Sequence, residues 1–312
     1  MKPDTKRWLT YFANKKILIT GASGFIGSYL FNRLSECAEV HGTSRTKKDS
    51  NKDNQHWWQG TFDTIESSRE LFQTIKPDIV FHLAGEVTAA NELKYVLPTY
   101  HSLLTSTINL LTTAVETGCE RVILTGSSTE PLSEDPIPNS PYAAAKWATT
   151  GYGHFFYRTY GLPVVIVRPF MGYGPGQPVY KLIPQVIKSL LNDESPKMSQ
   201  GLWETDWIYI EDMIEGFLAA ASLESPTGRV LDLGTGIITS VKGVVEKIVE
   251  IMRPKVKPLY GTLPDRANEH TRKADIEYSM SLLGWSATTS LEEGLIKTID
   301  WYKQEIYDKG LR

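Results

Sequence analysis

Tyr142-Ala-Ala-Ala-Lys146 and Gly126-Ser127-Ser128-Thr129 are the stretches best equipped for chemistry. Residues four apart share a helix face, so a Lys146 ammonium beside the Tyr142 phenol would favour the phenolate. That would draw the phenol pKa from about 10 towards the working pH, as acid/base work by a tyrosine requires. Asn139-Ser140-Pro141 opens the helical pattern that carries the pair, and this pattern runs to about Tyr160. The hydroxyls follow the apolar run Arg121-Val-Ile-Leu-Thr125, at the carboxyl end of a strand, where doubly wound sheets hold their ligands.

Anion binding is the second chemistry, carried by Ile17-Leu-Ile-Thr20-Gly21-Ala22-Ser23-Gly24-Phe25-Ile26-Gly27. A β-like run opens into a glycine-spaced turn and then into a helical pattern. Gly21 permits the tight turn, Gly24 lets the backbone approach a pyrophosphate, and Gly27 lets the helix lie close on the strand. Ser23, Phe25 and Ile26 sit where the helix N-terminus faces the phosphates. The strand, turn and helix together predict a dinucleotide pocket.

Positioning these groups requires a sheet. Strand-like runs near 16–20, 39–43, 78–83, 121–126 and 163–167 alternate with helical patterns, which predicts an α/β fold with a Rossmann-type, doubly wound parallel sheet. After Pro169, Gly172, Gly174, Pro175, Gly176, Pro178 and Pro184 break the alternation. The expected division is a dinucleotide-binding domain over 1–170 and a smaller α/β substrate domain over 171–312. A segment near 206–235 is expected to return to the first sheet, with Arg229–Gly234 as its strand. Helices are expected over 240–252 and 290–305.

The 312 residues are 41% hydrophobic, enough for a large core, and the formal charge of -3 leaves no basic footprint for nucleic acid. Cys37 and Cys119 make no disulfide framework and read as small core residues of a reducing compartment. No apolar stretch reaches membrane length and Met1 to Lys16 lacks a signal-peptide core, so the expected location is the cytoplasm. His82 and His101 belong to no cluster with metal-ligand spacing, and no metal is expected.

With these motifs, the chain resembles the extended short-chain dehydrogenase/reductase family, in its nucleotide-sugar-modifying, NAD-dependent epimerase/dehydratase group. The likeness covers nearly all of 16–303. It includes Phe81-His82-Leu83-Ala84-Gly85, Arg168-Pro169 with Tyr173-Gly174-Pro175-Gly176, Asp206-Trp-Ile-Tyr-Ile-Glu-Asp212 and Leu283-Gly284-Trp285. The resemblance implies that Ser127 hydrogen-bonds the reacting oxygen and Tyr142 moves its proton. Lys146 would bind the nicotinamide ribose while tuning Tyr142, and a hydride would pass to or from nicotinamide C4. It implies dinucleotide contacts at Leu83, Ala84 and Arg168, and an adenine contact at Asp63, which reads equally as a helix N-cap. Substrate contacts are implied at Glu86 and Ser128, and at Lys181, Leu182 and Arg266, where the family meets the diphosphate. Trp203 reads as a base-stacking residue or as packing.

Cofactor choice turns on the end of the second strand, where NAD-binding members place an acid for the ribose 2′-hydroxyl. Here Ser44-Arg45 stands instead, with Lys47 and Lys48 following, which favours the 2′-phosphate of NADP(H) over NAD. Met171 and Thr205 replace a usual Asn and a usual Arg, and the frequent Asn near Leu103 is missing. Ser128 and Thr129 stand where sugar dehydratases of the family carry an Asp-Glu acid/base pair, which disfavours 4,6-dehydration. The expectation is NADP(H)-dependent reduction of a 4-keto nucleotide sugar, with NAD-dependent 4-epimerisation as the alternative and a non-catalytic nucleotide sensor as the reading from another class. Trp147, Tyr152, Phe155, Phe156 and Tyr157 occupy more of their helix than one apolar stripe needs. In the resembling family this helix and the one near 99–117 form a four-helix bundle across a two-fold axis, so a homodimer is expected, unless the aromatics pack on the chain's own C-terminal segments.

Overall fold

The computed structural model describes residues 5–50, 52–87, 90–131, 137–224, 226–265 and 270–308. In chain order the elements are α1 (Thr5–Phe12), β1 (Lys16–Thr20), α2 (Phe25–Leu34), β2 (Glu39–Ser44), β3 (Gln55–Gln59), α3 (Ile65–Ile75), β4 (Ile79–His82), a 3₁₀ turn (Leu93–Tyr95), α4 (Val96–Thr99), a π-helical segment (Tyr100–Thr105) and α5 (Ser106–Thr117). They continue with β5 (Arg121–Thr125), α6 (Pro141–Tyr160), β6 (Val164–Pro169), β7 (Met171–Tyr173), α7 (Leu182–Leu191), β8 (Glu204–Tyr209), α8 (Ile210–Ser222), β9 (Val230–Leu233), β10 (Ile238–Ser240), α9 (Val241–Met252), α10 (Ile276–Leu283) and α11 (Leu291–Asp308). No described helix is long and apolar enough to cross a membrane.

The chain forms two compact units. The first comprises Met1–Pro169, Ile214–Asp232 and Glu277–Trp285. Its sheet runs β3-β2-β1-β4-β5-β6-β9, and the pairings of β1 with β2 and β4, β2 with β3, and β5 with β4 and β6 are parallel. Ile17, Leu18, Ile19, Ile79, Val80, Phe81, Val122, Ile123 and Val164 to Val167 are all buried, as strands covered on both faces must be. The sheet order reverses at β1, so the carboxyl ends of β1 and β4 flank the crevice where such folds take ligands. The second unit comprises Phe170–Met213, Leu233–Ile276 and Ser286–Arg312 and holds the three-stranded sheet β10-β8-β7.

Several elements depart from the sequence reading: of the segment expected near 206–235 to return to the first sheet, β9 does so, while β8 lies in the three-stranded sheet because it pairs with β7 and β10. β3, Gln55-His56-Trp57-Trp58-Gln59, has no aliphatic residue and was not among the expected strands; it is a half-buried edge strand that packs Trp57 on Phe31 of α2 at 4.4 Å between ring centroids, with the rings tilted by 36°. The helix expected over 99–117 opens as the π-helical segment, whose Leu103 packs so close on Gly85 that Cδ2 lies 2.0 Å from the ideal Cβ position there. Wide helical turns of this kind accommodate a close neighbour and often mark functional sites. The helix carrying Tyr142 and Lys146 begins as its sequence dictates: Ser140 Oγ accepts the Ala143 N–H at 3.1 Å, Pro141 occupies the first turn, and Gly161 ends the helix at φ 68°.

Candidate active site

The glycine turn is built for close approach. Gly21 adopts φ 68°, and a Cβ there would lie 2.9 Å from the Ala84 amide nitrogen. A Cβ on Gly27 would sit 2.2 Å from the Gly21 carbonyl oxygen and 2.9 Å from Ala22 Cα. Gly27 therefore lets the helix pack on the turn itself, where the sequence reading had it packing on the strand. Gly24 caps α2 with no side-chain bond, which leaves the first-turn amides without intrahelical partners and presents the positive end of the helix dipole. Beside it lies a cavity of about 270 Å³ whose lining includes Ser23, Asn32, Lys48, Asp49 and Trp57.

The carboxyl end of β4 is held by a hydrogen-bond chain whose direction is fixed. Leu83 N and Ala84 N donate to Thr20 Oγ1 at 3.1 and 3.0 Å, and Thr107 Oγ1 donates to Leu103 O at 2.5 Å. His82 lies between them, Nδ1 at 2.8 Å from Thr20 Oγ1 and Nε2 at 3.0 Å from Thr107 Oγ1. Thr107 has given its proton to Leu103, so His82 Nε2 must donate and Nδ1 must accept. Burial, reinforced by the Lys146 charge, holds this neutral imidazole at a pKa of about 3. His82 is thus a structural histidine with both ring nitrogens satisfied. Glu86 follows exposed, its N–H on Ser102 Oγ at 3.3 Å.

Ser127, Tyr142 and Lys146 come together at the end of β5. Ser127 lies against the Tyr142 phenol with its Oγ 2.8 Å from Thr129 Oγ1, Lys146 Nζ lies 5.9 Å from the Tyr142 ring centroid, and the same ammonium donates to Thr125 O at 2.6 Å. The titration differs from expectation. Burial pushes Tyr142 up to about 12, the Glu130 charge adds to the rise, and the Ser127 side chain only partly offsets it. Burial also pulls Lys146 down to about 8, against the attraction of Glu130. The expected depression of the phenol by Lys146 is absent: at about 8, Lys146 has lost its proton before a phenol at about 12 ionises, and desolvation of the phenolate dominates. Ser128 is half-buried beside Ser127.

These residues fit a nicotinamide dinucleotide. A lysine has three N–H donors and Thr125 O takes one; Thr125 Oγ1, at the same place, is buried without a partner. Both suit ribose hydroxyls. Arg45 follows β2 as an exposed residue, and Ser44 Oγ accepts the Thr46 N–H at 3.3 Å. Asp63 is not the N-cap of α3. Thr64 is, its hydroxyl accepting from Ser67 N at 3.2 Å, while Asp63 accepts from Thr61 Oγ1 at 2.7 Å. Arg168 is committed through Nε to Asp232 of β9 at 2.7 Å.

In the second unit, Lys181 is the N-cap residue of α7, with its Nζ 5.5 Å from the Tyr180 ring centroid, and Leu182 is the first helical residue. Trp203 donates its indole N–H to His270 O at 3.2 Å. Arg266 lies outside the described residues. Thr205 is buried in β8 and bridges to Arg272, whose guanidinium lies 5.9 Å from the Phe170 ring centroid. The sequence reading passed over Arg272, because no spacing ties it to position 205.

The β2–β3 pairing also brings Glu39, His41 and His56 within 4.8 Å of one another, which sequence spacing did not reveal. Trp58 Nε1 donates to His41 Nδ1 at 3.1 Å, so His41 carries its proton on Nε2 and donates it to Glu39 at 3.0 Å. The nitrogen that would face an ion has no free lone pair. His101 is exposed in the π-helical segment against Tyr100.

The family described as "NAD dependent epimerase/dehydratase family" matches residues 17–234. A dTDP-D-glucose 4,6-dehydratase of Mus musculus is 26% identical, covering 94% of this chain and 90% of its own length, and a UDP-glucuronate 4-epimerase of Thermodesulfobacterium geofontis is 28% identical, covering 93% and 96%. Among solved structures, a Thermotoga maritima UDP-glucose 4-epimerase with UDP-glucose superposes with a TM-score of 0.86 at 26% identity, over 93% of this chain and 99% of that one. A Bacillus cereus UDP-glucuronic acid 4-epimerase in complex with UDP-glucuronic acid and NAD gives 0.83 at 26%, with the same coverage. The glycine turn, the hydroxyl–tyrosine–lysine group and the match over most of the chain agree: the protein belongs to the NAD-dependent epimerase/dehydratase family of extended short-chain dehydrogenases/reductases.

Proposed function

We propose that the protein inverts C4 of a nucleotide sugar, through a transient ketone that is made and reduced again without release. The grouping of Ser127, Tyr142 and Lys146 at the end of β5 carries this reading. A bound nicotinamide dinucleotide supplies the two-electron redox chemistry. Ser127 orients the reacting oxygen, Tyr142 exchanges its proton, and Lys146 holds the ribose. Leu83 and Ala84 line the dinucleotide, while Glu86, Ser128, Lys181, Leu182 and Trp203 are proposed substrate contacts. Dehydration is disfavoured although a 4,6-dehydratase is among the relatives, because Ser128 and Thr129 are hydroxyls whose pKa values lie far above neutrality. The test is incubation with UDP-glucose, UDP-glucuronate and dTDP-glucose, without added cofactor. A C4 epimer at constant dinucleotide is expected; stoichiometric consumption of NADPH by a 4-keto sugar nucleotide would replace this reading with ketone reduction.

Reduction stays the second reading because Ser44, Arg45 and Lys48 suit a 2′-phosphate, although Asp49 lines the same cavity as Lys48. On that reading Arg45→Asp weakens NADPH far more than NADH, by on the order of 1 to 3 kcal/mol for a charge-assisted contact turned repulsive. Fluorescence titration with both dinucleotides measures it, and equal native affinity for the two removes the NADP(H) assignment.

A homodimer is proposed through α6 and its neighbours. Trp147, Phe155 and Tyr160 are 46%, 45% and 54% exposed, and Leu97 and Tyr100 add 66% and 46%. Trp147, Tyr152, Phe155, Tyr157 and Tyr160 of α6 are all exposed, so this is a large apolar surface for a monomer. Light scattering is expected to give about twice the chain mass of 35.0 kDa. The Phe155→Glu variant should fall to one chain mass.

A further inference from the structure

Glu130 is a buried ionisable group that this chemistry leaves without a task. It is 4% exposed, immediately follows the reactive hydroxyls, and divides its carboxylate between two elements. Oε1 accepts the backbone N–H of Ser127 at 2.6 Å, and Oε2 accepts the Thr150 hydroxyl of α6 at 2.9 Å. Thr150 lies one helical turn beyond Lys146, so the carboxylate bridges the backbone carrying Ser127 to the helix carrying Tyr142 and Lys146. The space it fills is kept open by Gly126, where a Cβ would lie 2.5 Å from Glu130 Oε1 and 2.9 Å from Arg168 Cγ.

We propose that Glu130 is a positioning residue: its carboxylate fixes the Ser127 backbone against α6 and supplies the buried negative charge that faces the Lys146 ammonium. The charged groups around it balance. Lys146 and Tyr142 act on or feel it from α6, Arg168 from β6, and Arg168 is itself tied to Asp232 on β9. Burial pushes the Glu130 carboxyl up, and the Ser127 amide, Arg168, Thr150 and Lys146 all oppose that rise. A direct role as the proton-abstracting base does not fit, since both oxygens are engaged inside the fold. The proposal deepens the functional reading above and rests on Lys146 binding the dinucleotide ribose.

The sign follows from electrostatics. A carboxylate near an ammonium raises the ammonium pKa and raises that of a nearby phenol; removing the charge lowers both. Titration of NADH and NADPH fluorescence from pH 6 to 10 therefore tests the proposal without a known substrate. In the native protein, affinity is expected to decline as Lys146 loses its proton, near pH 8. In Glu130→Gln, which keeps the size and one acceptor for the Ser127 N–H while its amide NH2 turns Thr150 from donor to acceptor, that decline is expected about 1 to 2 pH units lower. Glu130→Asp keeps the charge but is too short to reach Ser127, so its pH dependence should stay native while turnover of any C4 epimerisation found falls about tenfold or more. A Glu130→Gln profile that superposes on the native one overturns the proposal, as does, should the Gln variant not fold, a Glu130→Asp profile displaced from the native one. Native protein that binds neither dinucleotide would instead overturn the functional reading itself.

Discussion

Tyr142→Phe is expected to fold, to bind dinucleotide as the native protein does, and to lose roughly 10²- to 10⁴-fold in kcat, the range that a positioned acid/base contributes. The phenol ring is retained, so what the substitution removes is the hydroxyl and its contact with Ser127. The direction of the native titration sharpens the expectation. With Tyr142 held up at about 12, the free chain at neutral pH presents a protonated phenol, ready to donate to a developing alkoxide. Taking a proton from a C4 hydroxyl is harder for such a group and needs the Lys146 charge, so activity in that direction should fall as pH rises past about 8, where Lys146 deprotonates. Circular dichroism and dinucleotide titration check that the fold and pocket survive, and kcat/KM from pH 6 to 10 reads the chemistry. Native-level turnover in Tyr142→Phe would remove this residue from the mechanism and reopen the non-catalytic reading.

The dinucleotide turn was legible because its chemistry is backbone chemistry. Gly21 is dictated by its φ of 68° and Gly21 and Gly27 by contacts under 3 Å that no side chain survives, and such constraints leave a fixed spacing. The buried parallel strands were legible for a related reason, since a strand covered on both faces is written as an unbroken apolar run. Tyr142 and Lys146 were placed correctly on one helix, yet their electrostatics were not. Helical spacing fixes which residues are neighbours, whereas the pKa of each depends on how much water the fold removes and on where Nζ points. β3 escaped because an edge strand of Gln, His and Trp follows neither an apolar run nor a clean alternation. Glu130 stands in the sequence only as the residue after Ser128 and Thr129; that it turns inward onto Ser127 N and Thr150 is a tertiary fact with no local signature. The reading of Ser44-Arg45 as a site for NADP(H) rested on one strand end, and relatives such as the Bacillus cereus epimerase are seen with NAD, which makes cofactor choice a question for titration.

Acid is expected to unfold the first unit earlier than its carboxylates alone would require, because of His82. Its pKa is held at about 3 in the fold against 6.5 in an exposed chain, so the unfolded state binds the extra proton throughout that interval. The stabilisation is complete above pH 6.5, falls by about 1.4 kcal/mol for each pH unit below it, and is exhausted near pH 3, a total of roughly 4 to 5 kcal/mol. Protonation would also place a second donor on Nδ1, where Thr20 Oγ1 already donates, and so break the chain that holds Leu83 and Ala84. His82→Gln offers an acceptor and a donor in one uncharged side chain. Urea unfolding at pH 4.5 and 6.5 should therefore show the native protein losing about 2 to 3 kcal/mol more than the variant across that window. His41, held at about 4 by burial, titrates in the same range but is common to both proteins and cancels in the difference. Equal losses in the two proteins would mean that His82 is protonated in the fold, and that its nitrogens are not committed to Thr20 and Thr107 as the hydrogen bonds require.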